Sequence, residues 1–134
     1  MGLRAIRNLD YVILLCDDIQ RMKGFYQDGM GFRIEEDNPH WVKFRVGSCA
    51  LTLRPRGPWL GWEDGPVPKD SAAVQLAFCV GYDEVDNCHA ELIEKNVDVI
   101  EGPKDQHFGH RTLFFRDPEG NVLEIYAEID SAQS

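Results

Sequence analysis

The groups most able to do chemistry in this chain are scattered acids, phenols and imidazoles. Glu124 lies on the apolar segment Val122-Leu123-Glu124-Ile125-Tyr126, and Tyr11 lies at the start of Tyr11-Val12-Ile13-Leu14-Leu15-Cys16. A carboxylate and a phenol held on strands can each serve as acid or base. His107 and His110 are separated by Phe108-Gly109, so their rings need a turn to converge. His40 precedes a predicted strand and His89 falls inside a predicted helix, and neither has a second His or Cys at metal-ligand spacing. Cys16, Cys49, Cys79 and Cys88 form no Cys-x-x-Cys pair. They read as small buried thiols of a reducing cytoplasm rather than as a thiolate metal site. No Ser or Cys sits in a recognisable activating context, so nucleophilic catalysis has no support.

The elements that must position these groups are written twice. The first copy runs from the buried strand Leu9 to Cys16 through Asp17-Asp18, which supplies N-cap chemistry, to a helix with Ile19, Met22, Phe25 and Tyr26 at helical spacing. Gly29 and Gly31 end that helix. Strands follow at Phe32 to Glu36, Trp41 to Val46 and Cys49 to Arg54, the last two joined by Gly47-Ser48. The second copy has a strand at Val74 to Val80 and a helix opening at Tyr82-Asp83-Glu84 with the stripe Val85, Cys88, Leu92 and Ile93. Asn96 stops it, and a short strand runs from Val97 to Ile100. A hairpin of Arg111 to Phe115 and Val122 to Tyr126 turns through Asp117-Pro118-Glu119-Gly120. Each half is thus strand, helix and three strands, too small to bury its apolar face alone. Alternation puts Tyr11, Ile13 and Leu15 on one face of their strand, and Gln75, Ala77 and Cys79 on one face of theirs.

At 134 residues the chain is sized for one domain: module one at about 7–56, a linker at about 57–72 and module two at about 73–128. A net charge of −9 excludes nucleic acid as a partner, because phosphate binding needs a concentrated basic face. The same field would draw in a cationic small molecule. No apolar run reaches the roughly 20 residues of a membrane span, and Met1-Gly2-Leu3-Arg4 leads almost directly into the first strand with no signal peptide. A cytoplasmic protein is expected. The linker is rich in Pro and Gly and carries Trp59 and Trp62. These either cover the edge of the core or wall a pocket, and loops of this length are frequently functional.

The doubled order, with Arg116-Asp117-Pro118-Glu119-Gly120-Asn121-Val122-Leu123-Glu124 near the end, resembles the vicinal-oxygen-chelate superfamily. That group includes glyoxalase I, bleomycin-resistance proteins, fosfomycin-modifying enzymes and extradiol dioxygenases. The resemblance covers Leu9 to Glu128 and implies an α+β fold: two tandem βαβββ modules forming an open curved mixed sheet around a cleft, commonly in a homodimer. Metal-dependent members take ligands from the first and last strands of each module, which correspond here to Tyr11, Thr52, Gln75 and Glu124. Only Glu124 is charged at neutral pH, and a catalytic divalent site wants about three protein ligands and an open position. No cofactor is therefore predicted. A divalent metal on Gln75 and Glu124 is the alternative.

What the resemblance implies for function is a small-molecule cleft without metal, as in the bleomycin-resistance branch, which sequesters a cationic aromatic drug. Its expected ligand contacts are Tyr11, Thr52, Arg54, Trp59, Trp62, Gln75, Phe108, Glu124 and Tyr126. Trp41 is a further ring available for stacking. The polar members could instead satisfy one another as a buried network. The competing expectation is a metal-dependent lyase, isomerase or extradiol-type dioxygenase, with Glu124 and Tyr11 as catalytic acid or base.

Overall fold

The computed structural model describes residues 2–68 and 71–130. Two compact units divide the chain, residues 1–66 and residues 67–134.

In the first unit, β1 (Tyr11–Cys16) leads into α1 (Ile19–Gly24), which runs on as a π-helical turn over Phe25–Gly29. Asp18 caps α1, its carboxylate accepting from the Arg21 amide at 3.1 Å. Gly31, at φ 75°, supplies the left-handed residue after the helix. The strands β2 (Arg33–Asn38), β3 (Trp41–Val46) and β4 (Cys49–Pro55) then complete a four-stranded sheet in the order β1-β4-β3-β2. β1 is parallel to β4, and the other pairings are antiparallel. One face of this sheet, with Leu14, Cys16, Val42, Phe44, Leu51 and Leu53, is buried together with Met22 and Tyr26 of the helical segment. Alternation sends Tyr11, Ile13, Leu15, Trp41, Lys43, Thr52 and Arg54 to the opposite, open face.

The second unit repeats the plan. β7 (Gln75–Cys79), α2 (Glu84–Glu94), β8 (Val99–Asp105), β9 (His110–Arg116) and β10 (Val122–Glu128) form a sheet in the order β7-β10-β9-β8, with β7 parallel to β10. Its core is Leu113, Phe115, Leu123, Ile125 and Ala127, buried with Val85 and Leu92 of α2. Arg111 ties the helix to the sheet, reaching Asp86 of α2 and Asp105 of β8 at 2.9 Å each. Asn96 ends α2 in the left-handed region at φ 59°.

Five details depart from the sequence reading. Of the four cysteines expected to be buried only Cys16 is, while Cys79 is exposed and Cys49 and Cys88 are half-buried. Ile93 is 54% exposed, because it stands a full 100° around the helix from the buried Leu92. α1 gives way to a π turn where one continuous helix was expected. β8 extends through Gly102-Pro103 to Asp105, twice breaking register, where a stop at Ile100 was expected. An edge strand tolerates Pro, and the His89 ring of α2 lies beside Gly102. The expected linker holds a short antiparallel ladder, β5 (Pro58–Trp59) with β6 (Trp62–Glu63), which belongs to the first unit. Residues 69 and 70 of that linker lie outside the described ones.

The β9–β10 turn rests on Asp117, only 5% exposed. Its carboxylate accepts from the Glu119 amide at 2.9 Å, the Asn121 amide at 3.1 Å and the Asn121 side chain at 2.8 Å. Gly120, at φ 90°, closes the turn. Asp117→Ala should lower stability by about 2–4 kcal/mol, since hydrogen bonds to a charged acceptor are worth about 1.5–3 kcal/mol each and do not add fully. Urea denaturation with an unchanged m value checks this.

Candidate functional site

Each unit offers one open sheet face. On the first, β4 is central, and Thr52 has Ile13 of β1 on one side and Lys43 of β3 on the other. Thr52 is wholly buried, and its hydroxyl has no hydrogen-bond partner among the described residues. Tyr11 is 48% exposed and stands edge-on to Trp41, ring centroids 6.5 Å apart. The Lys43 ammonium lies over the Tyr11 ring at 5.3 Å. A β-bulge at Glu35 turns that carboxylate toward Arg45, which binds both its oxygens at 2.9–3.2 Å. The Arg45 hydrogen bonds are the chief reason the Glu35 carboxyl sits below the usual glutamate range.

Arg54, expected among the ligand contacts, has its guanidinium committed elsewhere. It forms a bidentate pair with Asp64 at 2.7 and 2.9 Å, also donates to the Pro55 carbonyl, and stacks over Trp59 at 4.5 Å. Asp64 also accepts from the Gly57 amide and the Trp62 indole, both at 3.1 Å. One carboxylate therefore clamps the β5–β6 hairpin onto the end of β4. Trp59 and Trp62 face each other across that hairpin, with Trp62 and Leu60 exposed, and Pro58, Trp59 and Leu60 line an open recess of about 340 Å³.

On the second unit's open face, Gln75 donates from its amide to the Glu124 carboxylate at 3.2 Å. Of the polar groups weighed from sequence as a buried network, these two are joined, but the pair is exposed rather than buried. Farther along the strands Tyr126 stands opposite Cys79. The hydrogen bond between them and the charge of that thiol, then burial and the nearby Glu128 and Glu124, hold the Tyr126 phenol above its usual range. The His110 ring stacks on Tyr126 at 4.7 Å, and Phe108, 59% exposed, sits edge-on to both His110 and His107. His110 is the link between Phe108 and Tyr126, and sequence reading gave it no such part. Its signal was there: β9 pairs His110 with Glu128, one ladder step diagonal to Tyr126. Lys43 was likewise missed; it is the cross-strand partner of Thr52.

Among the described residues no three His, Cys, Asp or Glu side chains stand close enough to hold a metal ion, and no helix is long and apolar enough to cross a membrane.

Comparison with known proteins agrees with this architecture. The family model described as the glyoxalase/bleomycin resistance protein/dioxygenase superfamily matches residues 8–125. The uncharacterized protein YwkD of Bacillus subtilis is 27% identical over 131 residues, covering 92% of this chain and 98% of YwkD. The metallothiol transferase FosB of Staphylococcus saprophyticus is 22% identical over 124 residues, covering 90% and 77% respectively. A crystal structure of a glyoxalase/bleomycin resistance protein/dioxygenase from Nocardioides superposes with a TM-score of 0.84 at 18% identity, over 95% of this chain and 87% of that one.

The Asp64 clamp has a pH signature. Its carboxyl is held far below the ordinary aspartate range, first by the Arg54 hydrogen bonds and then by the Gly57 amide and Trp62 indole acting against burial. A depressed folded-state value means the contribution is complete above the unfolded pKa of about 3.9 and is lost as pH falls from there. Denaturation midpoints measured by tryptophan fluorescence from pH 7 to pH 2.5 should show an acid limb that is shallower in Asp64→Asn.

Proposed function

The chain belongs to the glyoxalase/bleomycin resistance protein/dioxygenase superfamily, and from that premise we propose that it binds a small organic molecule on its open sheet faces without a metal. The observation that carries this reading is the Gln75–Glu124 hydrogen bond. Glu124 is the one charged group among the four positions where family members place metal ligands, and an amide already engages it. The other three are a neutral amide, a phenol and a buried hydroxyl, none of which brings charge at neutral pH. Divalent catalytic sites draw on charged carboxylates or imidazoles, so this donor set does not fit one.

The same groups suit an organic ligand. Apolar and aromatic walls with a few polar anchors are the usual make-up of such sites. In the second unit Tyr126, His110 and Phe108 offer rings, while Gln75 and Glu124 offer directional polar contacts and a negative charge suited to a cationic group. In the first unit Tyr11 and Trp41 offer rings above Thr52. Trp59 and Trp62 extend the aromatic surface beside Arg54. The protein acts as a homodimer in this reading. A metal-dependent transferase, lyase, isomerase or dioxygenase is the second reading, favoured by the likeness to a metallothiol transferase.

Two measurements separate them. Calorimetric titration with nickel, zinc, manganese and ferrous ions should give no stoichiometric micromolar binding; binding that disappears in Glu124→Ala overturns the metal-free reading. Titration with a panel of aromatic compounds, cationic members included, should change tryptophan emission, and Glu124→Ala should weaken the cationic members about tenfold. A panel that leaves emission unaltered overturns the binding reading.

A further inference from the structure

The open face of the second unit contains a carboxylate without a cation. Elsewhere in the chain Glu35, Asp64 and Asp105 each pair with an arginine at 2.7–2.9 Å. Glu124 is half-buried on an interior strand, and its one hydrogen-bond partner among the described residues is the neutral Gln75 amide at 3.2 Å. Taking a carboxylate partly out of water without a positive partner has a cost, which a ligand cation can offset.

The neighbours of Glu124 define what that cation can be. Its ladder partners are Ala77 of β7 and Phe114 of β9. Ala77 carries only a methyl group and covers little of the carboxylate. Leu113 and Phe115 are buried in the core, so alternation turns Phe114 to the open face, with its Cβ about 4.5–5.5 Å from that of Glu124. A carboxylate only accepts hydrogen bonds, so Gln75 points its amide nitrogen at Glu124 and keeps its carbonyl for another donor. A carboxylate has about four lone-pair sites, and Gln75 occupies one of them. Two residues along β10, the Tyr126 hydroxyl is engaged by Cys79. What remains around Glu124 is a set of acceptors beside an aromatic ring.

We propose that Glu124, Gln75 and Phe114 form a subsite for an organic cation that carries N–H donors, a protonated amine or amidine, with its apolar stem against Phe114. The positive charge answers the carboxylate, the N–H groups answer the free acceptors, and the ring adds a cation–π contact. A quaternary ammonium would meet the charge and leave the acceptors unbonded. An alcohol would meet the acceptors and leave the charge alone. Glu101 of β8 stands across Phe114 from Glu124, so an anionic substituent on the ligand is repelled from both sides. The subsite rests on the reading that the open faces receive a ligand, and it specifies the head group that this one accepts.

The test uses three probes on one frame: benzylammonium, benzyltrimethylammonium and benzyl alcohol. They are titrated into the whole chain and followed by two-dimensional amide NMR. Benzylammonium should bind at least about tenfold more tightly than either of the others, with shifts centred on Gln75, Phe114 and Glu124, and should weaken with added salt. Glu124→Gln should bring benzylammonium down to the level of benzyl alcohol. Phe114→Leu should weaken benzylammonium several-fold and keep the ranking of the three. If a variant loses its dispersed spectrum, the ranking and salt dependence in the unaltered protein decide. Equal binding of the quaternary cation, or a preference for benzylammonium over the alcohol that survives Glu124→Gln in a folded protein, overturns the subsite. Failure of all three probes while the aromatic panel still changes tryptophan emission also overturns the subsite alone. Failure of the probes and the panel together overturns the proposed function as well.

Discussion

The strict alternation of side chains along β4 and β10 is the constraint on which both units depend. Each strand is central in its sheet, with a parallel neighbour on one side and an antiparallel one on the other. Leu51 and Leu53, and Leu123, Ile125 and Ala127, must face the helix to be buried. Period two then forces Thr52 and Arg54, and Glu124 and Tyr126, onto the other face. A slip of one residue would drive Glu124 into the helix-packed core and expose Leu123. The chemistry of the open faces is therefore a by-product of core packing, which leaves those positions free to vary in type without cost to the fold.

That freedom lets the chain keep its family's architecture with a mostly uncharged set of residues at these positions. At three of the four strand positions the residues are neutral, and the fourth, Glu124, is engaged by Gln75. On the first unit Lys43, one strand over from Thr52 and over the Tyr11 ring, pairs with Glu35 and Glu36. On the second unit Glu124 and Glu128 place negative charge beside Tyr126, whose phenol is raised chiefly by its hydrogen bond to Cys79.

Much of the fold was legible because local signals agreed with one another. The stop at Asn96, the cap at Asp18 and the turn at Asp117 to Gly120 each needs a residue of particular backbone or hydrogen-bonding capacity, and each stands where the sequence placed it. The failures came where tertiary contacts overrode a local rule. β8 continues through Gly102-Pro103 because an edge strand need not donate every amide, and the β5–β6 hairpin exists because Asp64 gathers Arg54, Gly57 and Trp62. The π turn at Phe25–Gly29 has no sequence signature of its own. It accompanies the burial of Tyr26, which sits among Phe25, Phe32 and Phe44.

The candidate site divides in the same way. Sequence alone determined which residues share a face, since alternation is a property of the strand itself: Tyr11 with Ile13, Gln75 with Cys79, Glu124 with Tyr126. It also determined that, of the four positions the resemblance assigns to metal ligands, only Glu124 is charged. Only the tertiary structure decided which of those side chains are spent and which are not. That Arg54 belongs to Asp64, that Gln75 holds Glu124, that His110 stacks on Tyr126 and that the Thr52 hydroxyl is left without a hydrogen-bond partner among the described residues all depend on cross-strand register and loop closure. Those are contacts between residues distant in sequence, and hydrogen bonds and ion pairs form by proximity in space, which no local pattern encodes.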